Sequence, residues 1–172
     1  MALDDYTREI LTKLQVDAQD RPFYTPALLA YFRGVGMSLS QAEDNRAASM
    51  FSASRAYQQD QEGLQRGYEQ GRKSITGGLQ SRGVLMSGEA IDRYNKQDEE
   101  KARASNQLDT GLADRRTAID TAYRQVEDSL RQQSTERLLG AEQDDATRRA
   151  TEDAQKRQQE ELMAYYSNLG GQ

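Results

Sequence analysis

The sequence predicts an all-α protein, an elongated helical hairpin of long, coiled-coil-like helices that follows a short N-terminal helical region. Three observations lead to this fold class. Both prolines lie near the start, at Pro22 and Pro26, so no proline interrupts the chain from residue 27 to residue 172. Only 35% of the residues are hydrophobic and 30% are charged, too little apolar surface for a compact core. Apolar residues also recur at three- and four-residue spacings, as on the buried face of a helix.

Three segments are predicted along the chain. The first is an N-terminal helical docking region, the second holds the first long helix and a turn, and the third is one very long helix. Their expected bounds are residues 1–36, 37–87 and 88–172.

The first segment contains two short predicted helices. One is expected from about Asp4 to Ala18, with acidic residues at its positive N-terminal end. Thr25 before Pro26 predicts the cap and first position of the next helix, which is expected to end between Gly34 and Gly36. Its aromatics are interpreted either as a small local core with the first helix or as an anchor on a partner chain. The candidate docking residues are Phe23, Tyr24, Leu28, Leu29, Tyr31 and Phe32.

The second segment starts with the capping-box spacing of Ser38 and Gln41, so a new helix is expected from Leu39. Apolar residues then follow at intervals of seven and four, which is typical of a coiled-coil seam with polar interruptions: Met50, Tyr57, Leu64, Tyr68, Ile75 and Leu79. Gly63, Gly67 and Gly71 lie four residues apart on one face of this helix, and each costs the helix about 1 kcal/mol relative to alanine. Either close approach of another backbone or a bend explains them. The candidate packing residues are Tyr57, Gly63, Leu64, Gly67, Tyr68 and Gly71.

A break is expected over residues 76–88, with Ser87 as the cap of the next helix, and it forms the tip of a hairpin if the flanking helices are antiparallel. The third segment is then one helix from Gly88 to about Asn168, with Gly111 and Gly140 as the points where it could be interrupted. Its seam is Leu112, Arg116, Ile119, Tyr123, Val126 and Leu130, of which the last four are candidate packing residues.

The residue types argue against catalysis. Histidine and cysteine are both absent, which removes the commonest general base and metal ligands. Consecutive carboxylates on a helix point in different directions, and no lysine-containing phosphate loop occurs. The net charge is −5 with acids beside the basic pairs, and no apolar run reaches 18 residues. We therefore expect no catalytic, metal or cofactor-binding residues, no small-molecule substrate, no membrane span and no specific nucleic-acid site.

The sequence LQSRGVLMSG at residues 79–88 resembles a short motif of small virion proteins of tailed bacteriophages. In these proteins a helix leads into an Arg-Gly-apolar-x-x-Ser-Gly turn and then into a long helix rich in Ala, Gln, Arg and Glu. The resemblance extends over roughly residues 39–140. It implies a structural component of the virion, a homo-oligomer in the tail or at the head–tail connector, assembled in the host cytoplasm with other virion proteins. Two alternatives stay open: a scaffolding or internal, ejected virion protein, and a cellular coiled-coil adaptor.

Overall fold

The computed structural model describes residues 3–16, 18–19 and 23–169. Three helices account for most of them, and no strand occurs within these ranges. The helices are α1 (Asp5–Lys13), α2 (Pro26–Ser81) and α3 (Gly88–Leu169). The predicted all-α fold with two long helices is confirmed.

Contacts along the chain define two compact units. Unit 1 comprises Met1–Gln41 and Gln125–Gln172, and unit 2 comprises Ala42–Arg124. Both long helices contribute to both units. The units do not coincide with the three predicted segments, because the segments follow expected helix breaks whereas the units follow packing.

The predicted starts of α1 and α2 are confirmed by their caps. The Asp4 carboxylate accepts a hydrogen bond from the backbone N–H of Thr7 at 2.7 Å. The Thr25 hydroxyl accepts one from the backbone N–H of Leu28 at 3.2 Å, with Pro26 at the first helical position. Local side-chain chemistry is therefore enough to begin both helices.

The first helix is shorter than predicted. It ends at Lys13, and Gln15 has a φ of 55°, in the left-handed region. The backbone N–H of Val16 then bonds to the carbonyl of Leu11 at 2.8 Å, which closes a Schellman motif. The expected continuation to Ala18 is wrong because the chain turns back at Gln15 to cover the end of the helix.

The second helix continues through the glycines at which it was predicted to end. The expected stop between Gly34 and Gly36 and the new start at Leu39 are both wrong. Ser38 does not act as a cap, since its hydroxyl donates to the carbonyl of Gly34 at 3.1 Å within the helix. A Cβ on Gly36 would lie 2.0 Å from Cδ1 of Ile10. Glycine at this position allows α1 to pack closely on α2.

Unit 1 has a closed apolar core. Phe32 and Leu11 are completely buried. An ion pair joins Asp4 to Arg33 of α2, and the guanidinium of Arg137 on α3 lies 5.5 Å from the ring centre of Tyr31. Among the residues of this unit that the structure describes, the buried apolar ones are Leu3, Ile10, Leu11, Leu14, Val16, Tyr24, Leu28, Leu29, Phe32, Val35 and Leu39.

The third helix is continuous for 82 residues, so neither Gly111 nor Gly140 interrupts it. Asp145 is the last buried position among the helix residues up to 164, for which the structure describes burial, and it pairs with Arg148 at 2.6 Å. Residues 146–164 are exposed on every side. This part of the helix is held by its own backbone and by ion pairs along its surface, which contribute little individually.

In unit 2 the second helix ends in another Schellman motif. Gly83 has a φ of 69°, which glycine adopts without strain. Its backbone N–H bonds to the carbonyl of Gln80, and that of Val84 bonds to the carbonyl of Leu79, both at 3.1 Å. These bonds fold the chain over the end of α2 and direct it into α3.

The turn itself, residues 82–87, is shorter than the predicted break. Gly77 and Gly78, which were expected to open the break, are helical. The predicted cap at Ser87 is confirmed, because its hydroxyl accepts a hydrogen bond from the backbone N–H of Ala90 at 3.3 Å. The reversal is therefore fixed by Gly83 and Ser87, at the two ends of the turn.

Candidate interaction surfaces of the helical hairpin

Unit 2 is an antiparallel hairpin whose helices are joined by a ladder of polar pairs. Each step of 11 residues along α2 is matched by a step of 11 residues back along α3. Such a match fixes one register between the two helices. The pairs are Arg46 with Asp120 at 2.6 Å, Tyr57 with Asp109, and Tyr68 with Asp98.

The same 11-residue spacing governs the side chains that cover the seam. Eleven residues make three turns of about 3.67 residues, so the facing stripe drifts in the opposite sense to a heptad stripe. A straight or slightly right-handed pair is expected from this repeat, not a left-handed coiled coil. The positions buried or half-buried in this way include Ala53, Leu64 and Ile75 on α2 and Gln97, Leu108 and Ile119 on α3.

The tyrosines of the ladder are neutral donors. The hydrogen bond to Asp109, followed by desolvation, raises the pKa of Tyr57 above its usual 10.0. Asp98 raises the pKa of Tyr68 in the same way. Lys101 also lies over the Tyr68 ring, 4.2 Å from its centre. These contacts between the helices are thus largely polar. They fix the register of the two helices but bury little apolar surface.

One of the three candidate packing glycines contacts α3. A Cβ on Gly71 would lie 2.2 Å from Nε2 of Gln97, whose amide donates to the carbonyl of Tyr68 at 2.9 Å. A Cβ on Gly63 or Gly67 would meet no atom within 4 Å. Gly71 therefore admits a side chain from the neighbouring helix, whereas packing at Gly63 and Gly67 stays a prediction.

Most of the other candidate packing residues are half-buried. Val126 is the exception, with 42% of its surface exposed. It and the half-buried Leu130 belong to unit 1. The half-buried seam positions within unit 2 are Tyr57, Leu64, Tyr68, Ile119 and Tyr123.

The candidate docking residues divide into two groups. Phe23 and Tyr31 are half-buried at the surface of unit 1. The other four are at most 8% exposed and form part of its core: Tyr24, Leu28, Leu29 and Phe32. This corresponds to the local-core interpretation, and the four buried side chains are not an exposed docking surface.

A group of exposed apolar side chains lies at the turn end of the hairpin. Met86 is fully exposed, Ile91 is 59% exposed and Leu85 is 39% exposed. They lie in or directly after the turn that carries the Arg-Gly-apolar-x-x-Ser-Gly pattern. The sequence analysis did not assign these three side chains to a site.

The described residues contain no cluster of three or more acidic, histidine or cysteine side chains placed to hold a metal ion. None of the described helices is both long and apolar enough to cross a membrane. No family model matches the chain, and neither the curated proteins nor the solved structures gave a match.

Proposed function

We propose that this protein is a non-enzymatic structural subunit of a tailed-phage virion, located at the head–tail junction or in the tail, where copies pack through unit 2. The observation that carries the packing is the half-covered seam of the hairpin. All residues of unit 2 are described, and its buried apolar residues are Ala53, Leu79 and Ala90. The similarity of residues 79–88 to virion proteins supports the phage context.

A pair of helices can bury one stripe on each member and no more. Leu64, Ile75 and Ile119 therefore keep part of their apolar surface in water. Covering it is worth roughly 25 cal/mol per Å². A further helix pair is the simplest cover, and repetition around a symmetry axis covers every copy equally. Self-association then raises the stability of each hairpin.

One flank of α2 lets another helix approach closely. Along it, small residues repeat at the same 11-residue spacing as the seam, and no atom lies within 4 Å of a Cβ built on Gly63, Gly67 or Gly78. The repeat consists of Ser52, Gly63 and Ser74 and, four residues further along the helix, of Ala56, Gly67 and Gly78. This flank supports the proposal that the hairpins lie side by side.

Sedimentation velocity and circular dichroism on the purified chain test self-association. We expect a discrete helical oligomer for the natural sequence and a monomer for Gly67→Leu, because the leucine would hold a neighbouring helix away. Gly77→Leu is the matched control, since a Cβ there also meets no atom within 4 Å and the residue lies on another helix face. A natural chain that stays monomeric at every concentration rejects side-by-side packing. Normal assembly of Gly67→Leu rejects this flank as the contact.

A second candidate is a scaffolding or internal virion protein, and a long exposed stretch of α3 favours it. Residues 146–164 are all exposed. A helix of this kind suits a chain that is loosely held and later removed. Protein quantification in mature particles separates the candidates: a structural subunit keeps a fixed copy number, whereas a scaffold is lost before maturation.

A further inference from the structure

The turn of unit 2 presents apolar side chains that the chain itself does not cover. We call residues 82–91 the hairpin tip. Within it Ala90 is 1% exposed and, with the completely buried Leu79 below, forms an apolar base. Above this base Met86 is fully exposed and Ile91 is 59% exposed. Burying such side chains removes apolar surface from water, so the tip is an anchor for a suitable surface.

The exposure of the tip is built into its backbone. The bond from the N–H of Val84 to the carbonyl of Leu79 holds the first half of the turn on the end of α2. The Ser87 hydroxyl donates to the carbonyl of Val84 at 2.7 Å and caps α3, which holds the second half. Leu85 and Met86 lie between these fixed points. Their side chains project from the turn, and little conformational freedom has to be lost before they bind.

The charge around the tip is opposite to that of the whole chain. Residues 72–96 contain five basic and two acidic residues, a formal charge of +3, whereas the chain carries −5. Of the two acids, Glu89 is shared between Arg82 at 3.6 Å and Arg93 at 2.7 Å. Lys73 and Lys96 form no ion pair with any residue in the described ranges, and both are exposed. Basic residues thus surround the exposed apolar side chains of the tip. We call these basic residues the collar: Arg72, Lys73, Arg82, Arg93 and Lys96.

We propose that the hairpin tip binds an anionic lipid bilayer, with Leu85, Met86 and Ile91 inserted at the level of the headgroups. Insertion of about 5–10 Å is typical of interfacial apolar groups. The lysines of the collar lie some two turns of helix behind the tip, roughly 12 Å, where the potential of an anionic surface still acts. A bilayer suits a convex point because it deforms around it, whereas a protein partner needs a matching acidic pocket. This peripheral binding goes beyond the structural role proposed above.

Vesicle flotation of the full chain tests the proposal. We expect the protein to float with vesicles of phosphatidylcholine and phosphatidylglycerol at low salt. It should stay in solution with phosphatidylcholine alone, and with the anionic vesicles at high salt. Met86→Asp should lower the bound fraction at least tenfold, with unchanged helicity because the side chain is fully exposed. Met163→Asp is the control, a methionine that is 76% exposed outside the tip, and it should float like the natural chain.

The collar is tested by replacing Lys73 and Lys96 together with glutamate. A basic residue near an anionic surface contributes about 1 kcal/mol, equivalent to about fivefold in affinity. The double variant should therefore bind at least twenty-fold more weakly. If its affinity equals that of the natural chain, the charge step is wrong and the proposal fails.

Insertion itself is read from a fluorescent label. The chain has no cysteine, so Met86→Cys takes a single environment-sensitive dye. A blue shift on adding anionic vesicles is expected, and its absence overturns insertion. Failure of the natural chain to float, or equal floating by Met86→Asp, overturns the proposal and leaves an acidic pocket of a partner protein as the alternative. These readouts do not depend on the oligomeric state, so their failure leaves side-by-side packing standing.

Discussion

The two units draw on the same pair of long helices but are held together in different ways. Unit 1 buries eleven of its described apolar residues, whereas unit 2 buries three. The difference is α1, which lies on α2 through Ile10 and Gly36 and supplies the third wall of a core. In unit 2 no third helix is present within Ala42–Arg124, and the tyrosine–aspartate ladder takes its place.

The comparison shows what a third element adds to a helix pair. Three helices enclose side chains on all sides, so that Phe32 is completely buried. Two helices leave each seam residue partly in water, and exposed polar pairs then fix the register while adding little stability. We therefore expect unit 1 to be stable by itself and unit 2 to gain most of its stability from neighbours.

The largest expected effect is at Phe32. Phe32→Ala would leave a cavity in the core of unit 1 and should lower the free energy of unfolding by about 3–5 kcal/mol. Leu64→Ala on the half-buried seam of unit 2 should cost about 1 kcal/mol in the monomer. Urea denaturation followed by circular dichroism gives both values. Equal losses at the two sites would contradict the contrast between a closed core and an open seam.

A pair of glycine variants tests the packing of α1 on α2 directly. Gly36→Ala places a Cβ 2.0 Å from Cδ1 of Ile10 and should cost about 1–2 kcal/mol, because α1 must move away. Gly34→Ala meets no atom within 4 Å and should stabilise the helix by up to about 1 kcal/mol. Thermal unfolding measures both. A Gly36→Ala protein as stable as Gly34→Ala would mean that the packing of α1 on α2 does not depend on glycine at this position.

The corresponding pair in unit 2 should differ less. Gly67→Ala gains about 1 kcal/mol of helix propensity with no contact to lose. Gly71→Ala gains the same but displaces the Gln97 amide from the carbonyl of Tyr68, a loss of about 1 kcal/mol. The two should therefore differ by about 1 kcal/mol in urea denaturation of the monomer. Identical stabilities would show that the Gln97 contact adds nothing.

The capped starts of α2 and α3 could be predicted from the sequence, and the continuity of α2 through Gly34 and Gly36 could not. Thr25 and Ser87 cap helices through contacts with residues three positions ahead, which a sequence pattern contains. Gly36 is also a typical helix breaker in a local pattern. Its role depends on Ile10, 26 residues earlier, and no local propensity encodes that contact.

The ladder was missed for a related reason. Tyr57 and Tyr68 were assigned to a coiled-coil seam, and no partner was predicted for Asp98, Asp109 and Asp120. The usable signal was the shared spacing of 11 residues on both helices. The sequence contained that spacing, but the pairing also requires the antiparallel register set by the turn. Similarly, aromatics such as Tyr24 suit a core and an interface equally well, so their burial needed the structure.

The stability of the two units should respond differently to acid. Hydrogen bonds from Thr7 and then Arg33 lower the pKa of Asp4 from 3.8 to about 2. A lowered pKa means that the stabilising contribution is present above pH 4 and is lost as the pH falls toward 2. The stability of unit 1, measured by hydrogen exchange at the backbone amides of α1, should fall as the pH decreases from 4 to 2. Asp4→Asn should remove the dependence, and an unchanged acid profile in that variant would exclude Asp4 as its source.

Alkali should act on unit 2 instead, with the opposite sign. The pKa values of Tyr57 and Tyr68 are raised above 10.0, so their contribution is complete below pH 10 and is lost as the pH rises through the raised values. Ionised hydroxyls can no longer donate to Asp109 and Asp98, and like charges then face each other across the hairpin. Helicity of the natural chain should therefore decline above pH 10 together with tyrosinate absorbance. The double variant Tyr57→Phe and Tyr68→Phe should retain its helicity there, and a parallel decline in that variant would show that ionisation of these two tyrosines is not the cause.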